Sequence, residues 1–313
     1  MGSIMKTLVT GGAGFIGSHI IEKLLKDGHE VVCLDTFDPY YDPAIKRKNM
    51  EPFLSSENFS LIEGNINDPK ILNDTIEGCE YVFHQAAQAG VRISVENPIK
   101  PHLANASGTL AVLQASVDAG VKKVINASSS SVYGTVSYLP FDEAHPTVPV
   151  SPYGVSKLAA EHYCRVFSDL YGLKTVSLRY FTVYGPRMRP DLAISIFTQA
   201  ALAHQPIQIF GDGTKTRDFT FIDDVVDANM RVMKTGSGVY NIGGGHHISI
   251  LELADAIISA NNSRSSIEYH PVVKGDAEHT FANTAKAQQE LGWTAKTPIF
   301  DGLKKYAAWV KEV

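Results

Sequence analysis

Short apolar, β-branched runs alternate with helical patterns over the first 130 residues. KTLVT at Lys6–Thr10 predicts a strand. Phe15–Lys26 predicts an amphipathic helix, with Ile16, Ile20, Leu24 and Leu25 on one face. Gly28 stands where a helix C-terminus favours glycine. Residues 31–34, Phe59–Glu63, Tyr81–His84 and 121–126 predict four more strands. Asp68-Pro69 reads as an N-cap followed by a first-turn proline. Further helices are expected over 101–119 and 153–172. Near-continuous apolar strands separated by helices predict a parallel sheet covered on both faces, doubly wound by right-handed crossovers.

From about Arg179 the rhythm changes. Glycine and proline punctuate residues 184–187 and 210–213, and shorter elements follow, with helices over 191–203, 250–260 and 299–311. This predicts a smaller second α/β lobe at the C-terminus. The stretch between Asp35 and Phe59, with four aromatics, reads as the longest irregular segment.

Composition narrows the field. The chain has 313 residues, 44% apolar and 19% charged, which suits about two globular lobes. The net charge of −5 argues against binding to nucleic acid or anionic membranes. No apolar run is long enough for a membrane span, and no secretory leader pattern opens the chain. Cys33, Cys79 and Cys164 are far apart in apolar contexts, as buried reduced thiols of a cytoplasmic protein would be. The histidines show no metal-ligand spacing, so no metal is expected.

The first strand runs into Gly11-Gly12-Ala13-Gly14-Phe15-Ile16-Gly17. This G-x-x-G-x-x-G lies between a predicted strand and a predicted helix. It supplies a turn with positive φ, a close approach of backbone to a pyrophosphate, and tight packing of helix on strand. The pyrophosphate would sit at the positive end of the helix. The second strand ends in Asp35, whose carboxylate suits the two ribose hydroxyls of NAD and repels the 2′-phosphate of NADP. The expected fold is therefore a Rossmann-type doubly wound sheet.

Ser151-Pro152 predicts another helix start, which places Tyr153 and Lys157 at i and i+4 on one face. A phenol beside an ammonium and a bound nicotinamide cation is a candidate acid/base. The hydroxyl run Ser128–Ser131 leaves the C-terminal end of a strand, the edge where open α/β sheets bind ligands.

Together these residues resemble the extended short-chain dehydrogenase/reductase superfamily, and within it the NAD-dependent nucleotide-sugar epimerases. The similarity covers nearly the whole chain. It includes the opening 10–19, Gly64-Asn65-Ile66-Asn67-Asp68, His84-Gln85-Ala86-Ala87, the N-x-x-G-T at Asn105, the block 179–187, Thr216-Arg217-Asp218-Phe219, and Gly275-Asp276 through Trp293. The resemblance implies a catalytic set of Tyr153, Lys157 and Ser129, with Ser128 or Ser130 as alternatives for the serine. It implies cofactor contacts from Gly11, Gly14, Phe15, Ile16, Gly17, Asp35, Asn65 (where the family has Asp), Ile66, Gln85, Ala86, Ala87, Asn105, Ser128, Tyr153, Lys157, Tyr180 and Val183. It assigns residues 1–178 and about 221–243 to the NAD-binding domain, and about 179–220 and 244–313 to the UDP-sugar domain. It also implies a homodimer joined by a four-helix bundle built from the helices over 101–119 and 153–172.

The reaction implied is inversion at C4 of a UDP-sugar through a 4-keto intermediate, with tightly bound NAD recycled. The 4,6-dehydratases and UDP-glucuronate decarboxylases carry an acid before Val-Tyr-Gly, where this chain has Ser130-Ser131. A 4-keto-sugar reductase would favour NADPH, and an NAD-sensing regulator would need no Tyr/Lys pair. Thr182, Arg189 and the block 275–283 lean towards UDP-glucuronate, with UDP-glucose or UDP-N-acetylglucosamine as alternatives. Arg189 and the serines would hold a C6 carboxylate. Further substrate contacts are implied for Arg92, Ser129, Ser130, Tyr153, Arg187, Arg217, Asp276 and Thr280. Lys274 stands near the position of a diphosphate-binding arginine.

Overall fold

The computed structural model describes residues 4–272 and 278–312. The N-terminal part runs β1 (Lys6–Thr10), α1 (Phe15–Lys26), β2 (Glu30–Asp35), α2 (Pro43–Met50), β3 (Phe59–Glu63), α3 (Pro69–Ile76) and β4 (Tyr81–His84). It continues through α4 (Val91–Glu96), α5 (Ile99–Pro101), a π-helical segment His102–Ser107, α6 (Gly108–Asp118), β5 (Lys123–Ser129), α7 (Pro152–Tyr171) and β6 (Lys174–Tyr180). The caps behave as the sequence chemistry dictates. Asp68 Oδ1 accepts from the amides of Lys70 (3.0 Å) and Ile71 (3.2 Å), and Ser151 Oγ accepts from the Gly154 amide at 3.1 Å. Gly172 ends α7 in the left-handed region at φ 69°.

The remaining elements are β7 (Thr182–Tyr184), α8 (Ala193–Leu202), β8 (Ile207–Phe210), β9 (Thr216–Phe221), α9 (Ile222–Lys234), β10 (Gly238–Ile242), β11 (His247–Ser249), α10 (Ile250–Ala260), β12 (Ile267–His270), α11 (Ala285–Leu291) and α12 (Ile299–Glu312). Seven parallel strands form the main sheet in the order β10-β6-β5-β4-β1-β2-β3. The chain leaves this sheet after β6 and returns to it for β10. Two small sheets, β11-β9-β7 and β12-β8, lie outside it.

Adjacent residues of each central strand feed opposite faces. Leu8, Val82 and Val124 join one apolar cluster with Leu72, Leu113 and Phe167. Val9, Phe83 and Ile125 join the other, which continues into Phe219, Leu253, Trp293 and Tyr306. This is the double coverage expected of parallel strands. Among the described residues no helix is long and apolar enough to cross a membrane.

Three expectations change. The fifth strand begins and ends later than its apolar run suggested, so Ser128 and Ser129 belong to β5. The stretch after Asp35 contains α2, started by Asp42 Oδ1 accepting from the Ala44 amide at 2.9 Å, with Pro43 in the first turn. That is the same signal that marked Asp68-Pro69. The helix expected over 101–119 is broken by the π-helical turn around Asn105. There Asn105 Oδ1 accepts from the Gln88 amide (2.8 Å) and Asn105 Nδ2 donates to Ser156 Oγ (2.9 Å). Long-range bonds from one buried amide thus override helical regularity.

Candidate active site

A cavity of about 390 Å³ opens at the C-terminal edge of the main sheet, where β1 and β4 lie side by side and the connections diverge. Gly11 turns at φ 66°, and a Cβ there would lie 2.6 Å from the Ala86 backbone. A Cβ on Gly17 would lie 2.5 Å from the Gly11 carbonyl oxygen, so this glycine lets α1 pack on the turn. Gly14 is the N-cap of α1 and has no side chain to satisfy the first-turn amides. These amides and the helix dipole make a cradle for an anion.

Asp35 closes the other end of this wall. Its Oδ2 accepts from the Ala13 amide (3.1 Å) and its Oδ1 from the Phe37 amide (2.8 Å). Each oxygen keeps a second lone pair for a ribose hydroxyl. Lys46 Nζ lies 3.8 Å from Asp35 Oδ1, a partner the sequence did not reveal. The cradle, the carboxylate and the cavity size fit a dinucleotide.

Gly11, Gly14, Phe15, Ile16, Gly17, Asp35, Asn65, Ile66, Gln85, Ala86, Ala87, Ser128, Tyr153, Lys157 and Tyr180 all line the cavity. Asn105 and Val183 do not. Asn105 is turned onto the Gln88 backbone and Ser156, and Val183 is packed in the apolar core. Asn65 uses its Oδ1 to accept from the Asn67 amide at 2.9 Å.

Tyr153 and Lys157 enter the cavity from the first turns of α7. Burial pushes the Tyr153 phenol up, while a hydrogen bond with Ser129 and the charge of Arg189 pull it down. Arg189, a cation the sequence did not place beside the phenol, thus acts on it. Lys157 Nζ donates to the Ala127 carbonyl at 2.8 Å, and burial lowers its pKa to about 8.

The serines separate by partner. Ser128 Oγ donates to Glu161, whereas the Ser129 hydroxyl lies 3.2 Å from Ser131 Oγ and can turn its one proton to Ser131 or to the Tyr153 phenolate. Ser130 begins a short 3₁₀ turn after Ser129. Glu161 also takes a two-point bond from Arg179 (Nε 2.9 Å, Nη2 2.8 Å), and the guanidinium lies over the Tyr133 ring at 4.7 Å. Glu161 carries no signal in the sequence beyond lying one turn past Lys157.

The residues expected to hold the sugar nucleotide are more scattered. Tyr153 and Arg189 line the cavity, and Arg189 is paired with Asp191. Arg187 is turned away: its guanidinium pairs with Glu22 of α1 and lies 6.0 Å from the Phe53 ring. Its φ of 63° helps to explain this, because the left-handed backbone redirects the side chain towards the helix. Arg217 Nη1 donates to the carbonyls of Thr216 (2.9 Å) and Glu278 (3.2 Å). Thr280 Oγ1 accepts from the Asp218 amide at 3.2 Å. Thr182 stands in β7 opposite Phe219, and Arg92 lies 5.7 Å from the Phe210 ring. Lys274 and Asp276 lie outside the described residues.

Residues 7–243 match the family model for the NAD dependent epimerase/dehydratase family. A UDP-glucuronate 4-epimerase of Thermodesulfobacterium geofontis is 39% identical over 312 residues, covering 97% of this chain and 96% of that protein. The crystal structure of a UDP-glucuronic acid 4-epimerase from Bacillus cereus, in complex with UDP-glucuronic acid and NAD, superposes with a TM-score of 0.93 at 36% identity, over 98% of this chain and 99% of that one. A Thermotoga maritima UDP-glucose 4-epimerase with UDP-glucose gives a TM-score of 0.92 at 36% identity, with the same coverage.

Proposed function

The chain belongs to the NAD-dependent epimerase/dehydratase family, and from that premise we propose that it is an isomerase that inverts C4 of a UDP-sugar, with UDP-glucuronate as substrate. The observation that carries this reading is that Tyr153, whose phenol has Ser129 as a hydrogen-bond partner, stands in the same cavity as the glycine cradle and Asp35. NAD, held by that cradle and by Asp35, supplies a hydride acceptor and donor for the sugar C4.

The protein's own residues do the rest. Tyr153, assisted by Ser129, takes the proton of the C4 hydroxyl as the carbon is oxidised and returns it after the flat 4-keto sugar has turned over. Lys157 holds α7 against the end of β5 through the Ala127 carbonyl, which keeps the phenol in reach of the sugar. Its positive charge also favours the phenolate. The sugar is oxidised and reduced in the same site, so the reaction is an isomerisation with no net redox change. Ser130-Ser131 offers no carboxylic acid for dehydration.

The domain division follows the chain's path. Residues 1–178 and about 221–243 carry the cofactor wall, and 179–220 with 244–313 would carry the uridine diphosphate and sugar. UDP-glucose is the alternative substrate, favoured by the equal likeness to the Thermotoga maritima enzyme.

A homodimer through a four-helix bundle is supported by exposed apolar residues on the helices concerned. They are Leu103 and Leu110 on one side and Val155, Tyr163, Leu170 and Tyr171 on α7, with Val95 and Ile99 exposed on the short helices just before. Three buried free cysteines fit a reducing cytoplasm.

The test offers the purified protein, without added NAD, UDP-glucuronate, UDP-glucose and UDP-N-acetylglucosamine in turn. A C4 epimer of UDP-glucuronate is the expected product. Inversion of none of the three overturns the assignment, and light scattering on the same sample reports the dimer.

A further inference from the structure

Arg189 lines the cavity at the end where Tyr153 stands, and its charge acts on the Tyr153 phenol. The guanidinium is gripped along one edge. Nε donates to Asp191 Oδ1 at 2.9 Å and Nη2 donates to Asp191 Oδ2 at 3.0 Å. Asp191 Oδ2 also accepts from Tyr40 Oη at 2.8 Å, and the Tyr40 ring lies 5.6 Å from the guanidinium carbon. Tyr40 reaches this position from the connection after β2, on the cofactor side. Gly90, at φ 103°, makes room for it, because a Cβ there would lie 2.6 Å from Tyr40 Oη. Burial and the Asp191 carboxylate push the Tyr40 phenol up to about 12, so it remains a neutral donor near pH 7. The guanidinium and the phenol in turn hold Asp191 ionised.

This arrangement bears on which sugars fit. A bare guanidinium beside C6 would draw a carboxylate strongly and would be costly to leave facing a neutral hydroxymethyl group. A carboxylate fixed directly behind the guanidinium cancels roughly half of its pull on a charge a few ångströms further on. It does so without disturbing the hydrogen-bond donors of the fork.

We propose that Asp191, fastened by Tyr40, is a positioning residue that sets the charge preference of the sugar end: it orients Arg189 and tempers it, so that a neutral C6 is tolerated beside a C6 carboxylate. The proposal rests on the reading of Arg189 as the cation that faces C6. Sugar selectivity is then set partly by a residue that does not touch the sugar.

The test measures the dissociation constants of UDP-glucuronate and UDP-glucose by calorimetry on the NAD-loaded protein, with Tyr153→Phe present throughout to stop turnover. Asp191→Asn should raise the preference for UDP-glucuronate over UDP-glucose by about 5- to 10-fold. Asp191→Glu, which keeps the charge, should stay within about 2-fold of the starting ratio. A purely structural role would weaken both ligands alike and leave the ratio unchanged, and that result, or a fall in the ratio, overturns the proposal. Arg189→Met separates the premise from the inference. If it lowers the ratio while Asp191→Asn does not raise it, Arg189 faces C6 and the role of Asp191 fails. If Arg189→Met leaves the ratio unchanged, the premise itself fails and the proposal with it.

Discussion

Lys157 Nζ donates to the Ala127 carbonyl at 2.8 Å, tying the first turns of α7 to the end of β5. One buried ammonium therefore fixes the distance between the helix that carries the phenol and the strand that carries the serines. Burial lowers its pKa to about 8. The group is charged below that value and neutral above it, so turnover should fall as pH rises through about 8. A pH–rate profile tests this, and Lys157→Met should cost about 10²-fold or more in kcat at neutral pH.

The two serines at the end of β5 should respond unequally. Ser129→Ala removes a partner of the phenol and is expected to lower kcat by about 10- to 100-fold, approaching the loss from Tyr153→Phe. Ser128 is directed at Glu161, so Ser128→Ala should act mainly through stability. Steady-state kinetics with paired melting curves decide between them. A larger kcat loss in Ser128→Ala would reverse the assignment.

His84 gives the fold an acid limit. It is fully buried between Thr10 Oγ1 (2.7 Å) and Thr109 Oγ1 (3.0 Å). Thr109 Oγ1 already donates to the Asn105 carbonyl, so His84 Nε2 donates and Nδ1 accepts from Thr10. Burial lowers its pKa from 6.5 to about 3. Between those values the unfolded chain binds a proton that the folded chain refuses. Stability should therefore fall as pH drops below 6.5, by up to about 1.4 kcal/mol per pH unit from this residue. Urea unfolding of wild type and His84→Gln between pH 7 and about 4.5 checks it. The variant should show a shallower slope.

Glu161 and Arg179 are 5% and 6% exposed, and they join at 2.8 Å. Glu161→Gln leaves the guanidinium without a counter-charge and is expected to cost about 3–5 kcal/mol of unfolding free energy. Chemical denaturation at neutral pH measures this loss.

The parts of the site that chemistry confines to a short segment were legible in the sequence. Gly11, Gly14 and Gly17 lie within one turn, Asp35 ends the next strand, and Tyr153 and Lys157 share one helix face. Each of these needs only local geometry to be read. What stayed hidden depends on pairs far apart in the chain. Tyr40 meets Asp191 across 151 positions, and Arg187 meets Glu22 across 165. No periodicity encodes such a meeting. Arg187 looked like a substrate cation because of its motif, yet its backbone turn sends it to α1. The π-helical turn at Asn105 was invisible for the same reason, since the groups that cause it lie on other elements.

The return of the chain to the main sheet for β10 has a consequence during synthesis. On the ribosome, β6 is complete well before residues 238–242 exist, and β7 to α9 must be made in between. Throughout that interval the sheet ends in the unpaired backbone edge of β6, the kind of surface that recruits chaperones or neighbouring nascent chains. A ribosome that stalls between Tyr180 and Gly238 would leave a polypeptide with its cofactor cradle built and its sheet unsealed.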